Sequence, residues 1–207
     1  MILPMGEALT QKGFTLIELL VVIAIIAVLS VVVILTLNPA ELLRQARDSS
    51  RISDLNTVKS ALSLFLADTA SSTGLLGGSS ANFVNCYVSK ATPNASSTGD
   101  CILIFQPDTT ATVSTTQALS PAVNGAGWIP VNFTAISSGA PIGTLPVDPV
   151  NSGDNIYFYR ASSTTSNFKM AGKMESSKYG AGGGSDVSTN DGGNDVNFYE
   201  VGTLLTL

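Results

Sequence analysis

Histidine is absent from this 207-residue chain, cysteine occurs twice, tryptophan once, and the four charged residue types together make up only 12%. Each shortage excludes something. Without histidine there is no Ser-His-Asp or Cys-His nucleophile, and a single cysteine pair leaves no Cys/His zinc site. Acidic residues outnumber basic ones by 15 to 10, for a formal charge of −5, whereas a nucleic-acid surface clusters Lys and Arg. Neither a P-loop nor a dinucleotide fingerprint occurs. Gly180-Ala181-Gly182 comes nearest, but Ser185 stands where the last glycine belongs. Asp186 and Asp191 are paired carboxylates in a glycine-rich loop, without the desolvating pocket that acid–base work needs. The composition therefore predicts a protein that is not an enzyme and does not take nucleic acid as a partner.

What is present begins at the N-terminus. Lys12-Gly13-Phe14-Thr15-Leu16-Ile17-Glu18 runs directly into an almost unbroken apolar stretch over residues 19–37. A secretory signal has an apolar region of only ~7–15 residues and is cut after it, at small residues. Here the alternative cut lies before the apolar run, between Gly13 and Phe14, which leaves the greasy segment on the mature chain as an anchor. As a helix, residues 14–37 would be roughly 36 Å long, enough to cross a hydrocarbon core of ~30 Å. Glu18 is the anomaly within it. A carboxylate in such a segment is expensive and usually has a partner. Cleavage would create a positive α-amine on Phe14, four residues before Glu18 and on the same helical face. That amine can pair within its own helix or with the Glu18 of a neighbour; the competing reading is a glutamate that only reaches the headgroups.

Residues 13–22, Gly13-Phe14-Thr15-Leu16-Ile17-Glu18-Leu19-Leu20-Val21-Val22, resemble the class III signal of type IV pilins and type II secretion pseudopilins. The resemblance covers about the first quarter of the chain. It implies that a prepilin peptidase in the inner membrane cuts after Gly13 and methylates the new amine of Phe14. It also implies a homo-oligomeric helical filament, built by an assembly platform with a cytoplasmic ATPase. Within that filament, Glu18 would meet the Phe14 terminus of a neighbouring subunit and set register. The other readings are a minor or tip pilin serving adhesion or DNA uptake, and a plain single-pass membrane protein with an exported domain.

The fold class expected is α+β, a long N-terminal helix packed against an antiparallel sheet. Residues 1–13 form the leader and 14–37 the transmembrane and assembly helix. Residues 38–70 continue as an amphipathic helix, and 71–207 make an exported β-rich head. Loss of the leader removes Glu7 and Lys12 together, so the charge stays at −5. Leu42, Ala46, Ser49, Ile52, Leu55, Val58, Leu62, Phe65 and Leu66 recur near helical spacing, with Asp48, Arg51, Asp54 and Lys59 on other faces. One helix over 14–68 is predicted, bent or loosened at Pro39 because proline lacks a backbone donor; two helices with a turn at Asn38-Pro39 is the alternative.

Strands are expected at 83–88, 101–105, 128–133, 156–160, 168–174 and 197–201. The near alternation of Phe168-Lys169-Met170-Ala171-Gly172-Lys173-Met174 predicts one sheet face on the core and one in water. Orientation carries a conflict. Arg44, Arg47, Arg51 and Lys59 follow the apolar run while only Lys12 precedes it, so the positive-inside count would keep the head in the cytoplasm. The cleavage motif and the cysteine pair argue for export.

Cys86 and Cys101 bracket a loop containing Pro93, Asn94 and Gly99. In an exported chain this predicts a disulfide, worth ~3 kcal/mol on the chain-entropy model; two buried thiols on adjacent strands is the alternative. Two further stretches carry the resemblance. Leu145-Pro146-Val147-Asp148-Pro149, followed by Asn155-Ile156-Tyr157-Phe158-Tyr159, is similar to a segment of major pseudopilins. The acidic, glycine-rich run from Tyr179 to Asp195 is similar to their calcium-binding loop. That resemblance makes Asp186, Asp191 and Asp195 candidate calcium ligands. Calcium takes six to eight oxygens, but the spacing departs from an EF-hand, so the competing reading is a solvated turn-rich loop.

Overall fold

The computed structural model describes residues 13–69, 76–77, 85–90, 104, 112–113, 119–162 and 165–207. The chain divides into two compact units, Met1–Leu42 and Leu43–Leu207.

The first unit is dominated by α1, Leu16–Leu37. Its residues are apolar on every side, so it has no amphipathic face. Leu16–Ile34 is long and apolar enough to cross a membrane, and none of it is buried in the structure. The hydroxyls inside it satisfy themselves on the preceding turn: Ser30 Oγ donates to the Ile26 carbonyl at 2.7 Å and Thr36 Oγ1 to the Val32 carbonyl at 3.0 Å. Such back-bonding is what a hydroxyl in hydrocarbon requires.

A single residue ends this helix. Asn38 adopts the left-handed region (φ 40°, ψ 73°), which asparagine tolerates better than most residues. Pro39 then opens α2, Pro39–Asp68, at the first helical position, where a missing N–H costs nothing. The Asn38 carbonyl accepts from the Glu41 amide at 3.0 Å and the Leu42 amide at 3.3 Å. The expected single helix over 14–68 is thus two helices. The left-handed residue breaks the ladder that a bend alone would have preserved.

Within the second unit, α2 buries Asp48, Arg51, Leu55, Val58, Ala61, Leu62 and Phe65. The lower half of the predicted stripe holds. The upper half is corrected, because Leu42, Ala46 and Ser49 are exposed while Asp48 and Arg51 occupy the inward positions. Stepping back from Leu55 by four and then three residues leads to Arg51 and Asp48. The periodicity continues, but with charged residues.

The sheet is built from β1 (Asn85–Val88), β2 (Thr112–Val113), β3 (Tyr157–Ala161), β4 (Phe168–Lys173) and β5 (Phe198–Gly202), in the order β2-β1-β3-β4-β5. Neighbours from β1 through β3 and β4 to β5 are antiparallel, and the short β2 runs parallel to β1. With the helices this is an α+β, pilin-like fold. Tyr87, Tyr157, Tyr159, Phe168, Met170 and Val201 share one core with Leu55, Val58, Leu62 and Phe65 of α2. Gly172 makes the approach possible, since a Cβ there would already meet Leu55 Cδ1 at 3.2 Å.

Two strand expectations are corrected. Residues 128–133 form no strand: Trp128, Ile129, Val131 and Phe133 are buried core residues in an irregular segment that ends in a short 3-10 turn. Pro130 interrupts the run and cannot donate to a ladder, so only isolated bonds form, Trp128 N to Ser120 O at 2.9 Å and Phe133 N to Val123 O at 2.8 Å. The second sheet face is not in water either. Cys86, Val88, Phe158, Ala171 and Phe198 form a further buried cluster with Ile104 and Ile156, and Lys169 among them is wholly buried. The expected strand at 101–105 lies outside the described residues except for Ile104.

Candidate assembly site and its supporting head

Residues 13–15 precede α1 without regular structure. The Gly13-Phe14 peptide is open, and Phe14 is 82% exposed. Thr15 is the N-cap of α1, in extended conformation at φ −85° and ψ 151°. Its hydroxyl accepts from the Glu18 amide at 3.3 Å, while Glu18 Oε2 accepts from the Thr15 amide at 2.8 Å and from Thr15 Oγ1 at 2.6 Å. This is a capping box. Its consequence is that the single acid of the apolar helix bends back toward the Gly13-Phe14 bond instead of pointing along the helix. Phe14, Ile17, Glu18, Val21 and Val22 line one open groove around it. Phe14 and Glu18 therefore share one groove, with Gly13 next to Phe14 in the chain.

The head contains a charged centre that the sequence analysis did not assemble. Arg51 is fully buried and donates through Nε to Asp148 Oδ2 at 2.6 Å and through a terminal nitrogen to Asp148 Oδ1 at 2.9 Å, a bidentate pair. Its other terminal nitrogen reaches Asp48 Oδ1 at 2.8 Å and Glu175 Oε2 at 3.2 Å. Asp48 in turn accepts from the amides of Glu175 and Ser176, at 3.0 and 2.8 Å, and Asp148 from those of Val150 and Asn151, at 2.8 and 3.2 Å. Burial alone would lower the Arg51 pKa, but hydrogen bonds and charge from Asp148, with help from Asp48 and Glu175, raise it. The arginine stays charged.

The Leu145-Pro146-Val147-Asp148-Pro149 stretch thus supplies the carboxylate that ties its loop to α2. Trp128 Nε1 fixes the same loop through the Pro146 carbonyl at 3.0 Å. Arg47 pairs with Glu175 at 2.6 Å. Two of the four cations that skewed the positive-inside count, Arg47 and Arg51, therefore have structural partners in the head, a reason for their presence that is independent of orientation. Beside them Tyr157 donates to Asp54 Oδ2 at 2.7 Å. Burial raises the Asp54 pKa, and the tyrosine hydroxyl only partly offsets this.

The candidate calcium ligands are each occupied locally. Asp186 accepts from the Gly182 amide at 2.7 Å, the Thr189 amide at 3.0 Å and the Thr189 hydroxyl. Asp191 accepts from the amides of Gly193 and Glu200, at 2.7 and 2.6 Å, and Asp195 from that of Asn197 at 2.8 Å. Among the described residues no group of three acidic, histidine or cysteine side chains is placed to hold a metal ion. Their bonds are those of tight turns, to amides and a hydroxyl two to nine residues away. Cys86 is buried on β1, and no free thiol occurs among the described residues. Cys101 lies outside them, so a Cys86–Cys101 bridge remains a proposal.

Among the described residues, one helix near the N-terminus is long and apolar enough to span a membrane and an α+β head follows it in the chain, which fits a single-pass, membrane-anchored protein. Residues 9–34 match the family described as the prokaryotic N-terminal methylation motif. The chain accordingly carries the prepilin-type motif of type IV pilins and pseudopilins, which implies processing by prepilin peptidase and assembly at the membrane. No curated protein and no solved structure matches the chain.

Proposed function

We propose that this chain is a structural subunit of a type IV pilus-like or type II secretion pseudopilus filament. It is inserted in the inner membrane with its head outside the cytoplasm, cut between Gly13 and Phe14 and methylated at the Phe14 amine. The carrying observation is one carboxylate, Glu18, held by Thr15 within a turn of the cut in a helix that buries nothing in its own chain. Transferring that helix out of lipid is favourable only into surroundings equally dry, because ~25 cal/mol per Å² of apolar surface is otherwise lost. A bundle of sister helices meets that condition. In it the new amine of one subunit compensates the Glu18 of the next, as a buried charge requires.

The subunit role implies no catalysis by this chain, and its partners are further copies of itself, prepilin peptidase, and an assembly platform with its ATPase. Glu18→Ala should leave membrane insertion and cleavage at Phe14 unchanged, as read by N-terminal sequencing, while sheared filaments disappear. Normal filament yield from the variant would remove Glu18 from assembly. Mature material that still began at Met1 would remove the proposal.

A further inference from the structure

A buried ammonium is the least explained group in the head. Lys169 is the second residue of β4, fully buried, on the sheet face opposite the one that packs on α2. Its Nζ contacts Glu200 Oε1 on the adjacent strand β5, meets Asn194 Oδ1 at 2.5 Å and lies 3.4 Å from the Ile104 carbonyl oxygen. The Glu200 side chain is also fully buried, and its Oε2 accepts from the Asp195 amide at 3.2 Å. Ile104, Phe158, Ala171 and Phe198 form the apolar cluster on this face. The turn carrying Asn194 is clamped over the carboxylate. Asp191 bonds the amides of Gly193 and Glu200, and a Cβ on Gly193 would fall on Glu200 Oε2. Amine, carboxamide and carboxyl are thus held in contact where the buried face meets solvent, with Asn194 exposed on its turn, Arg160 opposite Lys169 on β3 and Asp191 beside Glu200.

We propose that Lys169 and Asn194 join in an intramolecular isopeptide bond, with Glu200 as the proton shuttle. The Lys169 and Glu200 side chains are both fully buried, and passing the ammonium proton to Glu200 leaves a neutral amine beside a neutral acid. The free electron pair of Nζ attacks Cγ of Asn194, and a C–N bond forms. Glu200 gives its proton to Nδ2 and takes one from Nζ, the Cγ–Nδ2 bond breaks, and one ammonia leaves. No oxidant, reductant or external reagent is consumed. Fixing the reactants at contact distance supplies the effective concentration that makes an otherwise slow aminolysis feasible. The product staples β4 to the turn before β5, closing a separation of 25 residues.

The test uses the full-length chain purified from membranes in detergent, then reduced and denatured. Its intact mass is expected to fall short of the mass of the processed sequence by one ammonia. Trypsin should leave Lys169 uncut, within a branched peptide joined to the peptide containing Asn194. Asn194→Ala should show the full mass. Glu200→Gln, shown to be folded by its circular dichroism, should lose most of the branched peptide. A full mass for the unaltered chain, or an ammonia loss mapped to another residue, overturns the proposal. An undiminished crosslink in folded Glu200→Gln overturns the assignment of the shuttle. Should Glu200→Gln not fold, the branched peptide of the unaltered chain and the Asn194→Ala mass still decide whether the bond exists.

Discussion

α1 and α2 are separated by one residue yet solve opposite problems. None of the Leu16–Ile34 span of α1 is buried, and among the described residues its one charged side chain, Glu18, bonds to the neighbouring Thr15. On α2 the charged residue Arg51 is fully buried and ringed by Asp48, Asp148 and Glu175. The first helix is complete only when something outside the chain covers it. The second finds its partners in the same chain, Asp48 on the helix itself, Asp148 on a loop 97 residues away and Glu175 just beyond β4. A buried charge with internal partners marks the self-sufficient part of the molecule, and an apolar helix whose carboxylate has no cation beside it among the described residues marks the part that needs cover from lipid or protein.

The sharpest break in this comparison is at Arg51. Arg51→Met keeps the apolar length of the side chain but leaves Asp48 and Asp148 as buried carboxylates without compensation. Losing one partner of a buried ion pair typically costs about 3–5 kcal/mol. Thermal unfolding of the head should shift strongly downward, whereas membrane insertion through α1 should not change. Adding Asp148→Asn and Asp48→Asn to Arg51→Met should recover part of the loss. A single variant as stable as the unaltered chain would mean that the charged centre does not hold the loop.

Much of this division was legible in the sequence. The motif at Gly13-Phe14 and Glu18, the length of the apolar run and four of the strands were visible as local patterns. Two features were hidden because the residues that create them are distant. Arg51 and Asp148 have no sequence relation until the sheet brings the 145–151 loop to α2, although the continued three-and-four spacing upward from Leu55 was an available sign. Lys169 looked like a solvent-facing lysine on an alternating strand, but Ile104, Asn194 and Glu200 close over its ammonium. Trp128 to Phe133 looked like a strand because apolar residues dominate it, and Pro130 is the sign against it. Asn38 could not be resolved locally, since asparagine before proline suits either a bend or a full stop.

A second, smaller break tests how closely α2 must seat on the sheet. Gly172 lies beneath Leu55, and a side chain there also crowds the Tyr157 ring at 3.3 Å. Gly172→Val should cost about 1–3 kcal/mol through overpacking, read as a lower melting temperature. Coupling it to Leu55→Ala should restore part of the space, so the double variant should be less destabilised than the sum of the single ones. Strict additivity would place the crowding elsewhere.

The smallest effect sharpens the electrostatic half of the comparison through pH. Asp54 sits at the edge of the Arg51 centre, and burial raises its folded pKa above the ordinary carboxylate value. A raised folded pKa means that the native state binds the proton more tightly than the unfolded chain. The resulting contribution is fully present below the unfolded pKa and is lost as pH rises through the folded one. Asp54→Asn removes this dependence while keeping an oxygen for the Tyr157 hydroxyl. Relative to the variant, the unaltered head should therefore be most stable in mild acid and should lose ground as pH rises toward neutrality. Melting curves of the two chains across that interval measure the difference directly. A gap that widens in the opposite direction would show that the Tyr157 bond to the ionised carboxylate outweighs its desolvation, making Asp54 another satisfied charge like Asp148.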